Sequence, residues 1–545
     1  MLRWDSLSLF HKPMTLPLDP PANEHLSISA LEQWLWDAAC EIRGATDAPK
    51  FKDFILPLVF FKRLSDVFDD EFAAQVAEFG DEGLAREVIE EDHAASLKDG
   101  HPPIVRFYIP EGCSWRAVRN HPINANLGEF VTDCLRQIAT LNPELHGVLD
   151  VKDYNERQAG QRTLDDERLG ALIEVISRHR LGLKNTRPDV LGQAYEYLLR
   201  KFAEGQGQSA GEFYTPYEVG LLMGELLDAP HYGTVYDPTC GSGGLLIKAR
   251  LAFERKHPDQ KTQAPRLFGQ ELNPVTYAMA RMNMILHDYP ADFAIGDTFR
   301  NTGFGAKGAG LTQFDRVTAN PMWNQKNYTE QFYENDPWGR FTYGVPPSSS
   351  ADWGWVQHIL ASLKDGGRAA VVLDTGAASR GSGSGGSNRE RDVRRAVVEA
   401  DLVEAVVLLP ENLFYNTTAP GIILLLRKGK PEARRGQMLL VNASRYFVKE
   451  RPKNVLAQHG IDNVAEVYRD WLEQEKLSRL VTIEDARAAD YNLSPSQYVD
   501  VGDRKAHRPL SEILLDIDVA RTERETADIR LEAILGRLGL SGSCP

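Results

Sequence analysis

The chain has little that would suit a metal, a membrane or a secreted fold. Its five cysteines are odd in number, scattered and never spaced CxxC, which points to the reducing cytoplasm and away from zinc. The histidines form no HExxH pattern, so no metal is expected. The longest apolar run, Phe54 to Phe61, is far too short to span a bilayer and contains Pro57. The opening MLRWDSLSLFHK has no uninterrupted apolar core of signal-peptide type, so no membrane association is expected. Excess positive charge is missing too. The net charge is −15, whereas a protein that grips DNA unaided usually carries a basic field. Acidity does not exclude nucleic acid; it assigns the grip to a partner or to a local basic strip. No Gly-Lys-Ser/Thr triplet occurs, which excludes a P-loop, and no repeat period stands out.

What is present is enough for more than one ordinary globular domain: 545 residues, 42% hydrophobic and 26% charged. The stretch TVYDPTCGSGG, Thr234 to Gly244, organises the chain. Thr234-Val235-Tyr236 reads as a strand end closed by Asp237, Gly241-Ser242-Gly243-Gly244 as a turn, and the text from Leu245 as a helix. Such a unit opens a doubly wound sheet, and its turn is either a plain tight turn or a cradle for a carboxylate or phosphate. The dinucleotide fingerprint fails because Leu246 stands where its third glycine belongs. Glu271 closes the next strand, LFGQEL, somewhat further on than the ~20 residues typical of a ribose-binding carboxylate.

Three further segments flank this unit. Glu212-Phe213-Tyr214-Thr215-Pro216 precedes it and reads as the capped start of a helix, with Glu218 in the first turn. Asp297 follows the strand ending AIGD, where an Asp serves equally to cap a loop. Asn320-Pro321-Met322-Trp323 ends the strand FDRVTA and reads, alone, as a Pro turn with a buried Trp.

In this order the segments resemble S-adenosylmethionine-dependent adenine methyltransferases. The helical text LWDAACEIRGATDAPKFKDFILPLVFFKRLSD resembles the N-terminal domain of modification subunits of type I restriction-modification systems, and AADYNLSPSQYVD resembles the end of their catalytic domain. The resemblance spans roughly residues 26 to 503. It implies an α/β fold: a doubly wound, mostly parallel sheet with an N-terminal all-helical domain and a C-terminal helical tail. The expected divisions are an irregular leader (1–24), the helical domain (25–180), the methyltransferase domain (181–503) and the tail (504–545). The implied function is transfer of a methyl group from S-adenosylmethionine to adenine N6 of double-stranded DNA, with the adenine flipped out. The implied partners are a specificity subunit, a restriction subunit, and a second copy of this chain.

The resemblance also implies roles. Glu212, Phe213, Tyr214, Thr215, Pro216, Asp237, Gly241, Ser242, Gly243, Gly244, Glu271 and Asp297 would hold the cofactor. Asn320, Pro321 and Trp323 would be catalytic. The adenine amino group is a poor nucleophile because its lone pair is delocalised, and acceptors on Asn320 and Pro321 would draw it toward tetrahedral geometry. Trp323 would stack on the flipped base. Met322 departs from the family's second Pro and puts the loop's rigidity in question.

Rival readings are an RNA-base or protein-glutamine methyltransferase, and a cofactor-binding scaffold without turnover. A cytosine-C5 enzyme is excluded because the chain lacks a Pro-Cys dipeptide. Residues 352–365 read as an amphipathic helix. Gly/Ser-rich 381–388 reads as a mobile loop, with Arg380, Arg389, Arg391, Arg394 and Arg395 outnumbering Glu390 and Asp392 around it. That cluster is either a DNA-facing loop or a solvated helix start. In the tail, Leu531, Ile534, Leu535 and Leu538 form one helical stripe that either folds back or meets a partner.

Overall fold

The period of the apolar residues switches from helical to alternating strand and helix near residue 230, and the architecture follows that switch. A computed structural model describes residues 27–44, 51–158, 160–186, 197, 215–415, 417–451, 453–502 and 510–538. Glu212, Phe213 and Tyr214, the leader and the 205–211 joint lie outside the described residues.

Among the described residues up to 176 the main elements are helices: α1 (Ile28–Glu41), α2 (Phe51–Phe79), α3 (Glu82–Asp99), α4 (Trp115–Asn120), α5 (Leu127–Leu141) and α6 (Asp166–Ile176). The cap of α1 is Ser27, whose side chain accepts from the Ala30 N–H, two residues before the Ser that opens SALEQWLW. The helix α2 continues through Pro57, and its apolar residues from Phe51 to Phe68 are buried.

Beyond it come α7 (Tyr217–Leu227), β1 (Thr234–Asp237), α8 (Gly244–Lys256), β2 (Arg266–Glu271), α9 (Pro274–His287), β3 (Ala291–Ile295) and β4 (Phe314–Ala319). These are followed by α10 (Asp352–Ala361), β5 (Leu363–Asp374), α11 (Arg389–Glu399), β6 (Val403–Leu408), β7 (Gly421–Arg427), β8 (Gln437–Asn442), α12 (Gln458–Asp470) and β9 (Ser478–Thr482). The nine strands form one sheet in the order β9-β8-β6-β7-β5-β4-β1-β2-β3. Only β7 and β9 run antiparallel to their neighbours. The remaining strands therefore end on one common edge, and strand order reverses between β1 and β4, where doubly wound sheets bind ligands.

Apolar side chains fill both faces of the sheet. Val235, Leu267 and Ile423 pack toward α7 and α8, while Tyr236, Val317 and Leu424 pack toward Trp353, Ile359 and Val397. The helices α7 and α8 approach closely because Gly224 has no side chain; a Cβ there would sit 2.7 Å from the Lys248 carbonyl oxygen. Met279, Met282 and Leu286 of α9 belong to the core of the N-terminal helices, so that core reaches the sheet's helical layer. The helix expected over 352–365 stops at Ala361, because Leu363 to Gly367 already begin β5.

Residues 500–545 form a second compact unit. It contains α13 (Leu510–Arg537), on which Leu531, Ile534 and Leu538 are exposed. Among the described residues, no helix is long and apolar enough to cross a membrane, and no group of three His, Cys, Asp or Glu is placed to hold a metal.

Candidate active site

The switch-point crevice is built from four strand ends. At the end of β1, Asp237 is almost fully buried, and its Oδ1 accepts the Thr239 N–H at 2.9 Å. Burial pushes its carboxyl up to about 8; the Thr239 N–H opposes the rise and the charge of Glu271 adds to it. The glycine turn follows, with φ of +54° at Gly241 and +80° at Gly243. A Cβ on Gly243 would lie 2.7 Å from the Met284 Cε, so a side chain has neither conformation nor room there. The turn delivers the start of α8 with no side-chain cap, leaving the first N–H groups available to an anion.

The second strand end secures this turn. Glu271 accepts the Gly241 N–H at 3.0 Å on one oxygen and the Asn273 N–H at 2.8 Å on the other. At the third, Asp297 accepts the Phe299 N–H at 2.9 Å and the Tyr328 hydroxyl at 3.3 Å. Both carboxylates thus face the same edge from neighbouring strands, since Glu271 pairs with Ile295 across β2 and β3.

The fourth strand end carries Asn320, which is only 7% exposed. Its amide nitrogen donates to the Thr215 Oγ1 at 2.9 Å, and its Oδ1 accepts the Trp323 indole N–H at 3.2 Å. Thr215 was expected to help start a helix. The N-cap of α7 is Pro216 instead, with no side-chain capping bond, and the Thr215 hydroxyl serves Asn320. One cleft is lined by Thr215, Pro216, Asp237, Gly241, Ser242, Gly244 and Asn320. Gly243, Glu271, Asp297 and Trp323 are not among its lining residues. The Trp323 ring is half-buried and meets Phe414 edge-on at 4.9 Å.

With the geometry in hand, the comparisons with known proteins decide the family. The N-6 DNA Methylase model matches residues 186–507, and the HsdM N-terminal domain model matches residues 31–176. The chain belongs to the N-6 DNA methylase family. It is 34% identical over 524 residues to the type I restriction enzyme MjaVIII methylase subunit of Methanocaldococcus jannaschii, covering 93% of this chain and 84% of that one. The HindI methylase subunit of Haemophilus influenzae is 29% identical over 430 residues, covering 75% of this chain and 91% of the relative. Among solved structures, the type I methyltransferase subunit of Streptococcus thermophilus superposes with a TM-score of 0.73 at 28% identity, covering 87% of this chain and 100% of that chain. The family uses S-adenosylmethionine as methyl donor, in keeping with the α/β fold expected from the sequence.

The loop after Asn320 is braced by residues that carry no motif. After Met322, Asn324 adopts a left-handed conformation at φ +54°, and its N–H donates to the fully buried Asp352 at 2.9 Å. Its side-chain amide donates to Asp374 at 3.2 Å. Arg380 ties these carboxylates together, bonding Asp352, Asp374 at 2.6 Å and Glu390 at 2.6 Å.

Four of the five arginines around the glycine-serine loop are engaged within the fold, and Arg395, 53% exposed, lies 3.9 Å from Asp392. Arg380 is consumed by three carboxylates, Arg394 is buried against backbone carbonyls, Arg391 pairs with Asp490 at 3.3 Å, and Arg389 pairs with Glu330 at 2.6 Å. The glycine-serine loop is anchored as well, through the Ser382 hydroxyl to the Asp490 carbonyl and the Gly383 N–H to the Asp490 carboxylate. Lys248 is another residue the motifs do not reveal. It is buried on the cleft wall with its ammonium 4.4 Å from the Tyr217 ring centre, beside the glycine turn.

Proposed function

We infer that this chain methylates adenine N6 in duplex DNA as the modification subunit of a type I restriction-modification complex, reading its target through a specificity subunit. The observation that carries this reading is the Thr215–Asn320 hydrogen bond, which brings Thr215 and the Asn-Pro loop to one cleft beside the glycine turn. In this reading residues 25–180 are the helical domain, 181–503 hold the reaction, and 504–545 reach a partner.

The residues present fit the cofactor. The uncapped start of α8 and Lys248 suit its carboxylate, Asp237 its ammonium group, Glu271 its ribose hydroxyls, and Asp297 its adenine. When bound, S-adenosylmethionine supplies an electrophilic methyl group. Glu212, Phe213, Tyr214 and Pro216 are proposed to contact the cofactor as well, with Ser242, Gly243 and Gly244 keeping the turn low.

The remaining chemistry is the chain's own. Asn320 Oδ1 and the Pro321 carbonyl accept the two amino hydrogens of an adenine rotated out of the duplex. As they do so, the nitrogen lone pair is freed from the ring and turned toward the methyl group. Fixed acceptors that meet developing positive charge cost no reorganisation at the moment of reaction. Trp323 offers its face to the flipped base. Two copies of the chain and one specificity subunit, with a restriction subunit joining, complete the proposed complex.

Methylation-sensitive sequencing of a host carrying this chain with its neighbouring genes tests the reading. N6-methyladenine at one recurring sequence is expected. Methyl groups found only on RNA, on protein glutamine, or nowhere would overturn it.

A further inference from the structure

Arg380, Arg389 and Arg391 pair with carboxylates and Arg394 with backbone carbonyls, so the contact with phosphate is sought elsewhere on the acidic chain. A second basic strip follows β8. Residues 445 to 453 include Arg445, Lys449, Arg451 and Lys453 against one carboxylate, Glu450. Phe447–Val448 pairs antiparallel with Val455–Leu456, making a small hairpin with Lys449, Glu450 and Arg451 in its exposed connection. Among the described residues, the side chains of Arg445, Lys449 and Arg451 make no hydrogen bond or ion pair, in contrast to the arginines around 381–388.

The hairpin and Asn320 share one edge of the sheet. The hairpin leaves the end of β8 on that edge, because β8, β6, β5 and β4 run parallel. Its foot is fixed: Leu456 is buried in the core, and Tyr446 packs against the Cα of Gly460, where a Cβ would lie 2.4 Å from the tyrosine's own. Its far strand braces the loop that carries Phe414. The Lys453 ammonium donates to the Thr417 carbonyl at 2.9 Å and the Asn412 side chain at 3.2 Å, and the Asn454 N–H donates to the Asn412 carbonyl at 2.9 Å. Phe414 in turn meets Trp323.

We propose that this hairpin is a phosphate-binding arm, with Arg445, Lys449 and Arg451 engaging the backbone of duplex DNA beside the base that enters the Asn320 cleft. The proposal rests on the functional reading above in taking DNA as the substrate. A protein partner fits the strip less well, because interface cores are depleted in lysine and a cluster of unpaired cations costs desolvation there. Phosphate demands neither shape nor sequence, only cations that are free and rooted on a rigid foot. Phe447 and Val448, 37% and 50% exposed, lie along the same strand and give the arm an apolar flank against sugars.

The test is fluorescence anisotropy of the full chain with a labelled duplex of random sequence, titrated over a range of salt. In Arg445→Gln/Lys449→Gln/Arg451→Gln, binding at low salt is expected to weaken. The plot of log affinity against log salt should become shallower by about 0.9 for each phosphate that the arm no longer neutralises. Lys98→Gln/Arg116→Gln/Lys184→Gln removes the same charge from exposed positions elsewhere and should leave the slope near wild type.

An unchanged slope in the first variant, an equal change in both, or a wild-type chain that binds no duplex at low salt overturns the proposal. So does an unchanged slope with lost co-purification of the specificity subunit, which would mark the hairpin as a protein interface. Adenine methylation by the wild type is scored separately. A chain that binds through the hairpin but, assembled with its specificity subunit on a target duplex, methylates no adenine defeats the functional reading and leaves the arm standing.

Discussion

The Trp323 indole N–H points at the Asn320 side-chain oxygen, 3.2 Å away, while Thr215 holds the other end of the same amide at 2.9 Å. The amide is thereby fixed in orientation, with its oxygen toward Trp323. Because a carbonyl oxygen has two lone pairs, one acceptor direction remains for the adenine amino group. In the proposed mechanism Trp323 thus has two separable duties, stacking and orientation.

Those duties should come apart on substitution. Trp323→Ala is expected to weaken capture of the target duplex by ~1–3 kcal/mol, the usual worth of base–aromatic stacking. Trp323→Phe should regain most of that affinity, since it keeps a ring face. It should still turn over about ten-fold more slowly, for loss of one hydrogen bond of ~1–1.5 kcal/mol. Binding and single-turnover rates measured side by side check this. A phenylalanine variant with full rate would deny the orienting bond.

Glu271 carries the cofactor prediction. Its two oxygens already accept the Gly241 and Asn273 N–H groups, which aims the remaining lone pairs. Glu271→Ala should weaken S-adenosylmethionine binding about ten- to a hundred-fold, the worth of charged hydrogen bonds to two hydroxyls. Calorimetry on the folded variant decides it, and unchanged affinity would remove Glu271 from the site.

Asp237 should couple stability to pH. Unfolded, its carboxyl ionises near ~4; folded, burial first and the Glu271 charge hold it up to about 8. Between those values the folded chain keeps a proton that the unfolded chain has lost. The contribution to stability is therefore full below the unfolded value and falls as pH rises through the window. Asp237→Asn, which cannot ionise, should melt higher than wild type at the top of the window without cofactor, while binding the cofactor worse. Melting curves with the same pH dependence in both proteins would contradict this.

Arg380 is expected to matter for the loop and not for DNA. Arg380→Gln leaves Asp352 and Glu390 buried without their partner, and should cost about 3–5 kcal/mol. Adding Asp352→Asn, which keeps an acceptor for the Asn324 N–H, should return part of that loss, a coupling visible in a double-mutant cycle. Denaturant unfolding of the four proteins checks it; strictly additive losses would break the assigned network.

Much of this was legible in the sequence because the sheet's repeating unit is local. A strand, a glycine turn and a helix follow one another at Thr234 to Lys256, and the period of the apolar residues reports each. Glu271 and Asp297 could be located because each lies within two residues of a strand end. What could not be read were partnerships between distant residues. Arg380 and Arg394 look solvated beside a glycine-serine loop, yet the carboxylates and carbonyls that occupy them come from residues 352, 374, 377 and 491. The brace on Asn324, two residues after Met322, was equally hidden, since it comes from Asp352 on α10. Thr215 looked like a helix starter because its partner, Asn320, is remote in the chain.

Activation of the amino group at Asn320 is the step on which the mechanism depends. Its most direct test is single-turnover methyl transfer to a target duplex by the assembled complex, comparing wild type with Asn320→Ala. Turnover should fall about 10²–10³-fold, the cost of one preorganised acceptor in the transition state, with cofactor affinity nearly unchanged. An Asn320→Ala complex that methylates adenine at the wild-type rate would contradict the mechanism.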